Sequence, residues 1–331
     1  MALDTILKTA LERGASDVHI SEWEHPETAI LFRMEGRLVP FPIKEETMIT
    51  VRETFCRWRR EGQLDFARPI LGTNARFRAN LFMTCLGEAA ALRILRGDIP
   101  TLDVLHVLET PAILRKLCHL SHGLVLICGA TGMGKTSTLA AMIEEINQTS
   151  AKHIITLEDP VEYRFQSKKA LIRQREIGTH VHSFLEGLRA ALREDPDIIM
   201  VGEMRDKETV ATVLQAAETG HLVLSTLHTS SVSESIDRLL QYFPGDQQEP
   251  IRMQFGNCMQ GVVVQQLLPR RGQGRAAAAE IMLRTPATVN LIRTNQLHKV
   301  RDTLAYSDDM QNMADIVSWL KEHGVIEESV I

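Results

Sequence analysis

The sequence has few aromatic side chains and no excess of positive charge. Aromatic residues make up 5% of the chain, the formal net charge is -5, and no basic stretch is interleaved with aromatic residues. Proteins that bind nucleic acid usually present such a stretch or a strongly basic surface. We therefore do not expect DNA or RNA as a partner, nor a general attraction to anionic membranes.

Long apolar runs and paired cysteines are also missing. No run of about 18 uncharged apolar residues occurs, so we expect no transmembrane segment. The five cysteines are scattered, and no C-x-x-C pair is present, which argues against a disulfide framework and against a zinc site. The first twenty residues contain acids and no signal-peptide core, which argues against export. A reduced, cytoplasmic location is expected.

The composition is that of an ordinary soluble globular protein, with 44% hydrophobic and 24% charged residues. A chain of 331 residues is long enough for two domains with separate cores. Residues 1–97 combine a first helix, Thr5–Arg13, with short alternating runs whose glycines and prolines indicate hairpins. We predict a small α+β domain over 1–97, a linker over 98–111 and a larger α/β domain over 112–331.

The larger domain alternates continuous apolar runs with helical segments. The runs LVLIC, HIITLE, DIIMVGE and LVLSTL lack polar alternation, which is typical of strands covered on both faces. Strand and helix alternation predicts a parallel sheet with helices on its faces. The predicted helices are Lys135–Gln148, Ser183–Glu194, Lys207–Thr219 and an amphipathic segment, MADIVSWLKEHG, near the C-terminus.

One glycine-rich stretch matches the phosphate-binding pattern G-x-x-x-x-G-K-[ST]. Its position after an apolar run and before a helix is the context that this pattern requires. Glycines let backbone N–H groups converge on phosphate oxygens, and the start of the helix adds partial positive charge. Lys135 is expected to reach the β- and γ-phosphates of ATP, and the Thr136 hydroxyl to bind Mg²⁺. The predicted nucleotide-binding residues are Gly129, Ala130, Thr131, Gly132, Met133, Gly134, Lys135, Thr136 and Ser137.

Carboxylates follow two other apolar runs, at the edge where parallel sheets bind ligands. Glu203 lies where a Walker B acid reaches the magnesium shell. Glu158, Asp159 and Glu162 follow another strand, and a carboxylate there can orient and deprotonate water. The alternative is that these acids cap helices or pair with arginines such as Arg205.

Two histidines flank the run LVLSTL. His221 and His228 are seven residues apart, so an extended chain directs them to opposite faces, and a shared metal is not expected. His228 falls at the end of its strand near the expected phosphate position. Either residue could instead be structural.

The motifs GATGMGKT, TLEDPVEY, ALREDPDIIMVGEMRD and AAETGHLVLSTLHT, in this order, resemble the Walker A, Asp box, Walker B and His box of the secretion ATPase superfamily. Within it they closely resemble the type IV pilus retraction ATPases. The similarity continues more weakly through GASDVHI, RMEGRL and RFRAN. It implies a RecA-like P-loop core with a PAS-like N-terminal α+β domain.

The resemblance also implies roles for single residues. Lys135 and Thr136 would be Walker A contacts, Glu203 the Walker B acid and Glu162 the catalytic base. His221 and His228 would be the His-box pair. Arg78 and Arg93 match arginines that related enzymes bring to the γ-phosphate, with Arg76 as the substitute candidate; each is otherwise a surface arginine of a hairpin.

The implied protein is a hexameric ring, cytoplasmic and peripheral at the inner face of the inner membrane, that hydrolyses ATP with Mg²⁺ and acts on an inner-membrane pilus platform protein. The absence of a four-cysteine zinc insert and the segment TPATVNLIRTNQ favour retraction. The segment CLGEAAALRILRGD instead resembles the assembly and secretion branch. An assembly or secretion ATPase is thus one alternative, and a P-loop small-molecule kinase is another.

Overall fold

The computed structural model describes residues 2–21, 29–34, 36–95, 97–272, 274–305 and 310–329. Glu35 of the RMEGRL motif and Arg96 of the CLGEAAALRILRGD segment lie outside them. The chain forms two compact units. Unit 1 comprises residues 1–98 and the short segment 160–164, and unit 2 comprises residues 99–159 and 165–331.

Unit 1 is an α+β unit built on an antiparallel sheet. Its described strands have the order β3-β2-β1-β6-β5-β4. Two helices complete the described part of the unit. The elements of unit 1 are α1 (Ala2–Glu12), β1 (Asp17–Ser21), β2 (Ile30–Met34), β3 (Arg37–Pro40), α2 (Glu45–Arg60), β4 (Asp65–Pro69), β5 (Arg76–Thr84) and β6 (Gly87–Leu95).

The core of unit 1 joins the apolar faces of both helices to one face of the sheet. Helix α2 buries Met48, Val51, Phe55 and Trp58, a spacing of three to four residues that places them on one helical face. Sequence reasoning missed this helix, although the spacing, the acids in its first turn and the arginines in its last turn are helix signals.

Unit 2 alternates strands and helices for most of its length. Its elements are α3 (Leu102–Leu105), α4 (Thr110–Cys118), β7 (Gly123–Cys128), α5 (Lys135–Thr149), β8 (His153–Glu158), β9 (Leu171–Glu176), α6 (Phe184–Ala191), β10 (Ile198–Val201), α7 (Lys207–Glu218), β11 (Leu222–Leu227), α8 (Val232–Gln241), α9 (Gly245–Cys258), β12 (Met259–Pro269), β13 (Arg275–Leu283), α10 (Pro286–Arg293), a 3-10 turn (Leu297–Lys299), α11 (Val300–Ala305) and α12 (Met313–Glu322).

The sheet of unit 2 has the strand order β13-β12-β7-β11-β10-β8-β9 in the described part of the chain. Strands β9, β8, β10, β11, β7 and β12 pair in parallel, and β13 pairs antiparallel with β12. The predicted parallel α/β core is therefore confirmed, and the antiparallel edge hairpin is an addition. Alanine-rich β13 did not resemble a strand in the sequence.

Alternate residues of the strands face two separate cores. Leu124 and Leu126 of β7 belong to one cluster, whereas Val125 and Ile127 belong to the other. Both faces are covered by helices, which explains why the strands are continuously apolar. No helix among the described ranges combines the length and apolarity needed to cross a bilayer.

The predicted helices lie close to the observed ones, with differences of a few residues at their ends. The segment predicted as a linker, 98–111, is grouped with unit 2 from Ile99 onward. It contains α3 and buries Leu102 and His106. The boundaries 1–97, 98–111 and 112–331 themselves stay a prediction.

Candidate functional site: a phosphate loop and its neighbours

The glycine-rich loop connects β7 to α5 through three glycines in conformations that favour this residue. Gly129, Gly132 and Gly134 have φ values of 146°, 80° and 80°. Gly134 is also the N-cap of α5, in the left-handed region, where side chains with a Cβ are strained. The loop thus wraps around the start of a 15-residue helix, the geometry that exposes helix N–H groups to an anion.

Lys135 lies inside this loop. Its Nζ donates to the carbonyl oxygens of Gly129 and Ala130 at 2.6 and 3.0 Å, and only 8% of the residue is exposed. Burial lowers the pKa of Lys135, while Cys128 and Glu203 oppose that shift. The ammonium is therefore partly desolvated and poised to exchange carbonyl partners for a stronger anionic one.

The rest of the loop opens to solvent. Ala130, Thr131 and Gly132 are exposed, and a Cβ added at Gly132 would meet nothing within 4 Å. Thr136 and Ser137, which begin the helix after Lys135, are half-buried. The predicted phosphate-binding residues thus form one continuous loop with an accessible mouth.

Met133 is the one bulky residue of the glycine-rich loop, between Gly132 and Gly134. Its sulfur accepts a hydrogen bond from the backbone N–H of Leu267 in β12, at 3.2 Å. This contact confirms that the side chain is directed toward β12. The side chain of Met133 therefore does not enter the loop interior.

Glu203 follows β10 and forms a small charged cluster with one arginine, Arg205, and one histidine, His228. It makes an ion pair with Arg205, and its Oε2 lies 3.7 Å from Nε2 of His228. Arg205 also contacts Asp159 at 3.5 Å. The ion pairs considered as the alternative role of these acids therefore exist, but they lie at the carboxyl edge of the sheet beside Lys135.

His228 follows β11 at the same edge. Its Nδ1 lies 3.4 Å from Nζ of Lys135. Desolvation and the nearby Lys135 charge lower the pKa of His228, and Glu203 opposes this shift. The structure thus brings His228, Lys135 and Glu203 together, as expected from the strand ends.

His221 lies elsewhere. It precedes β11, and its Nδ1 is 3.1 Å from the carbonyl oxygen of Ala216. Strand β11 runs parallel to β7. His221 therefore lies at the amino ends of these strands and the phosphate loop at their carboxyl ends, about 20 Å away along an extended strand. Within one chain the structure does not bring His221 to the phosphate loop, so its nucleotide contact stays a prediction.

Gly202 occupies the position where many Walker B motifs carry aspartate. Its N–H donates to the carbonyl oxygen of Leu157 at 2.8 Å, and an added Cβ would lie 3.1 Å from that same oxygen. Its own carbonyl accepts from Thr226 at 2.5 Å. Close packing between β10 and β8 thus explains the glycine, and leaves Glu203 as the acid after this strand.

The acids after β8 differ in their surroundings. Glu158 is buried and accepts hydrogen bonds from Thr156 and Gln174 at 2.7 and 3.0 Å. Glu162 belongs to the segment that packs with unit 1. There the buried Arg76 donates to the carbonyl oxygen of Val161, so Arg76 anchors the loop that carries Glu162.

Arg78 and Arg93 are direct cross-strand partners in the sheet of unit 1. Side chains opposite each other in an antiparallel pair share a face. Arg78 makes a two-pronged ion pair with Asp65, at 2.9 and 2.8 Å, and Arg93 contacts Asp17 at 3.2 Å. The two arginines therefore share one sheet face, and each is already paired with an aspartate of a neighbouring strand.

Sequence reasoning missed two residues that contact this site. Gln265 of β12 donates to the carbonyl oxygen of Met133 in the loop at 2.7 Å. Nε2 of His106 lies within hydrogen-bond distance of Thr138 in α5, the helix that follows the loop. No motif marks either residue. Their positions follow from the pairing of β12 with β7 and from the path of the segment after Ile99.

Comparisons with known proteins agree with this arrangement. Residues 1–275 match the family model described as type II/IV secretion system protein. The chain is 39% identical to the type IV pilus retraction ATPase PilT of Pseudomonas aeruginosa over 90% of this chain and 87% of that protein. It is 42% identical to the uncharacterized protein YggR of Escherichia coli K12 over 91% of each chain.

A solved structure is similar over nearly the whole length. The crystal structure of the pilus retraction motor PilT with bound ADP superposes with a TM-score of 0.85 and 41% sequence identity, covering 98% of this chain and 94% of that one. The RecA-like core with a smaller N-terminal α+β domain is thus the fold of a known motor. On the family match, the sequence relatives and this fold, the chain belongs to the type II/IV secretion system protein family.

Proposed function

We propose that this chain is a Mg²⁺-dependent ATPase that acts as a hexameric motor for type IV pilus retraction. The observation that carries the proposal is the open phosphate loop with Lys135 inside it and Glu203 and His228 beside it. The similarity to PilT over most of the chain supports ATP as the nucleotide and pilus retraction as the work performed.

Binding of the nucleotide rests on the loop and the helix behind it. Backbone N–H groups of the loop and of the first turn of α5 would bind the phosphates, and Lys135 would exchange its two loop carbonyls for phosphate oxygens. His228, next to Lys135, is placed to contact the same group. Because its neighbour is a cation, His228 favours the neutral imidazole, which can donate one hydrogen bond and accept another.

Thr136 and Glu203 fit the requirements of a magnesium ion. Mg²⁺ bound with a nucleotide usually takes only one or two protein oxygens beside phosphates and waters. A hydroxyl at the start of α5 and a partly exposed carboxylate after β10 are such oxygens. When bound, the ion neutralises charge on the phosphates.

Hydrolysis requires an activated water and compensation of the charge that develops. We assign activation of the water to Glu162, with Glu203 on the magnesium side. We assign charge compensation to Arg78 and Arg93, which we expect a neighbouring subunit of the ring to supply. Their ion pairs with Asp65 and Asp17 would then be exchanged for phosphate.

In the proposed ring, the two units of the chain have different tasks: unit 2 binds the nucleotide and unit 1 moves. Nucleotide turnover would change the packing of unit 1 of one subunit on the nucleotide site of another, and the ring would transmit this movement to an inner-membrane platform protein. The motor would work in the cytoplasm, against the inner face of that membrane.

A pilus-assembly or secretion motor is the second candidate, favoured by the segment CLGEAAALRILRGD, whose residues 87–95 form β6. A strain lacking the gene distinguishes the two. Loss of twitching with excess pili indicates retraction, whereas cells without pili indicate assembly.

The biochemical test uses the purified full chain with ATP and Mg²⁺. We expect phosphate release without any added acceptor, its loss in Lys135→Ala, and a sixfold mass increase over the monomer in the presence of an ATP analogue. Phosphate transfer only when a small-molecule acceptor is added would indicate a kinase. Failure of a folded sample to bind adenine nucleotide would refute the proposal.

A further inference from the structure

A buried chain of hydrogen bonds runs behind the phosphate loop. Nε2 of His106 lies 3.0 Å from Oγ1 of Thr138, which donates to Oε1 of Gln265 at 2.7 Å, and Nε2 of Gln265 donates to the carbonyl oxygen of Met133 at 2.7 Å. His106, Thr138 and Gln265 are only 4%, 0% and 1% exposed. Gln265 is thus joined to three groups that lie more than 100 residues earlier in the sequence, with little access to water.

The direction of each hydrogen bond follows from its last acceptor. A backbone carbonyl can only accept, so the amide NH₂ of Gln265 must face Met133 and its amide oxygen must face Thr138. The single hydroxyl proton of Thr138 is then donated to Gln265, and the hydroxyl oxygen must accept from His106. This requires a proton on Nε2 of His106.

The surroundings of His106 agree with that tautomer. Its Nδ1 is buried, and within the described ranges it has no hydrogen-bond partner, as suits an unprotonated ring nitrogen better than an N–H. The chain therefore has one consistent polarity, from His106 through Thr138 and Gln265 to Met133.

Gln265 also limits the space behind the loop. Val264 is the register partner of Cys128, so Gln265 lies level with the first loop residue. A Cβ added at Gly129 would lie 2.6 Å from the backbone oxygen of Gln265, and one added at Gly134 would lie 2.8 Å from its Nε2. Both ends of the loop thus rest on the same residue.

The contact with Met133 sets the orientation of one peptide group. In a planar trans peptide the C=O and the following N–H point in opposite directions. Because the carbonyl of Met133 points at Gln265 in β12, the N–H of Gly134 points away from β12, toward the interior of the loop. The sulfur of Met133, held by the N–H of Leu267, resists rotation of the same residue.

We propose that Gln265 is a positioning residue for phosphate binding, oriented by Thr138 and His106. It keeps the Met133–Gly134 peptide turned so that its N–H is available to a bound phosphate. This inference rests on the proposed nucleotide-binding function. It assigns to β12, and to the segment that follows Ile99, a part in setting the affinity of the loop.

The main test measures ADP binding and steady-state ATP hydrolysis with the full chain and Gln265→Met, which keeps the volume and removes both hydrogen bonds. We expect the ADP Kd and the KM for ATP to rise about tenfold, the cost of losing one or two buried hydrogen bonds. The kcat should change much less, because the lost contact serves ground state and transition state alike. The matched control is Gln266→Met, the adjacent glutamine whose side chain faces the other side of the strand.

A second pair of variants tests whether Thr138 acts through Gln265. Thr138→Val removes the hydroxyl at nearly constant shape and should raise the ADP Kd about threefold or more, whereas Thr138→Ser should restore binding. Combined with Gln265→Met, Thr138→Val should add little, because members of one network are not additive. These helix variants also answer the question if Gln265→Met does not fold.

The results separate this inference from the function on which it rests. If the unaltered chain binds no ADP, the proposed function fails. A second outcome is that the unaltered chain binds ADP and loses this binding in Lys135→Ala. If the ADP Kd of folded Gln265→Met then stays within twofold of the unaltered value, only the positioning role fails. Equal losses in Gln265→Met and Gln266→Met, or full additivity with Thr138→Val, would likewise overturn it.

Discussion

At the scale of single residues, the site depends on charges that have more than one partner. Glu203 contacts Arg205 and His228, and Lys135 contacts two loop carbonyls as well as His228. Such groups have hydrogen-bond or ion-pair partners in the absence of a ligand, and they can exchange one of these partners for a bound ligand. The same side chains therefore serve the resting structure and the chemistry.

Glu203→Gln tests the acid after β10. It removes the negative charge near Lys135 while keeping the size of the side chain. We expect ATP binding to persist within a few fold and phosphate release to fall about 100-fold or more. Glu208→Gln makes the same charge change on an exposed residue of α7 and should leave turnover unaltered. Unchanged turnover in Glu203→Gln would remove this residue from the proposed mechanism.

Arg78→Gln tests the proposed contribution of unit 1 to hydrolysis. A guanidinium at the transferring phosphate is worth about 10³-fold or more in rate, and the ion pair with Asp65 contributes little to stability at the surface. We expect a large drop in kcat with a nearly normal KM and melting temperature. Arg37→Gln on the exposed strand β3 is the control. If both variants turn over ATP normally, Arg78 is a surface arginine.

At the scale of elements, the strand ends bring the site together and the helix starts hold it in place. The turn that carries Glu203 and Arg205 leads directly into α7, whose N-cap is Asp206. Asp206 accepts from the N–H of Thr209 at 2.7 Å and from its buried hydroxyl at 2.8 Å. The cap therefore fixes the end of the turn as well as the helix.

Asp206→Ala should lower the free energy of unfolding by about 1–2 kcal/mol, because both hydrogen bonds of the cap are lost. For a unit of this size, that corresponds to a melting temperature lower by about 2–8 °C. Thermal unfolding followed by circular dichroism measures the change. Asp246→Ala, in the first turn of α9 but not its N-cap, is the control, and an equal shift there would contradict the assignment.

At the scale of the whole molecule, buried polar groups connect distant parts of the chain and make its stability depend on pH. Burial lowers the pKa of His106 to about 4 from an ordinary value of 6.5. Below pH 6.5 the unfolded chain takes up a proton at this residue and the folded chain does not. Stability is therefore lost as the pH falls from about 6.5 toward 4, and this contribution is absent at neutral pH.

His106→Gln removes this titration. At pH 5 the histidine should cost the folded state about 2 kcal/mol relative to pH 8, at about 1.4 kcal/mol for each pH unit below the ordinary pKa. Urea unfolding at pH 8 and pH 5 measures the free energy of unfolding. Its decrease between the two pH values should be about 2 kcal/mol smaller in the variant than in the unaltered chain. The same loss in both proteins would show that His106 is not the buried neutral group inferred here.

Much of the nucleotide site was predictable because its signals are local. The phosphate loop has positive φ values at its glycines, and glycine is the residue that adopts them without strain. Short apolar runs followed by helix signals predict parallel strands whose carboxyl ends meet at one side of the sheet. Lys135, Thr136, Glu203 and His228 were placed by these rules. Helix α2 was equally local and was missed only because its apolar spacing was overlooked among the hairpins.

Other features depended on which strands become neighbours, and no sequence pattern contains that information. Gln265 supports the loop because β12 pairs beside β7, with Val264 level with Cys128. Glu158 accepts a hydrogen bond from Gln174 because β9 pairs beside β8. The amino-acid sequence by itself determined the phosphate loop, because backbone preference and apolar period act over a few residues. Only the tertiary structure decided which side chains hold that loop, because contacts across more than 100 residues depend on strand order and register.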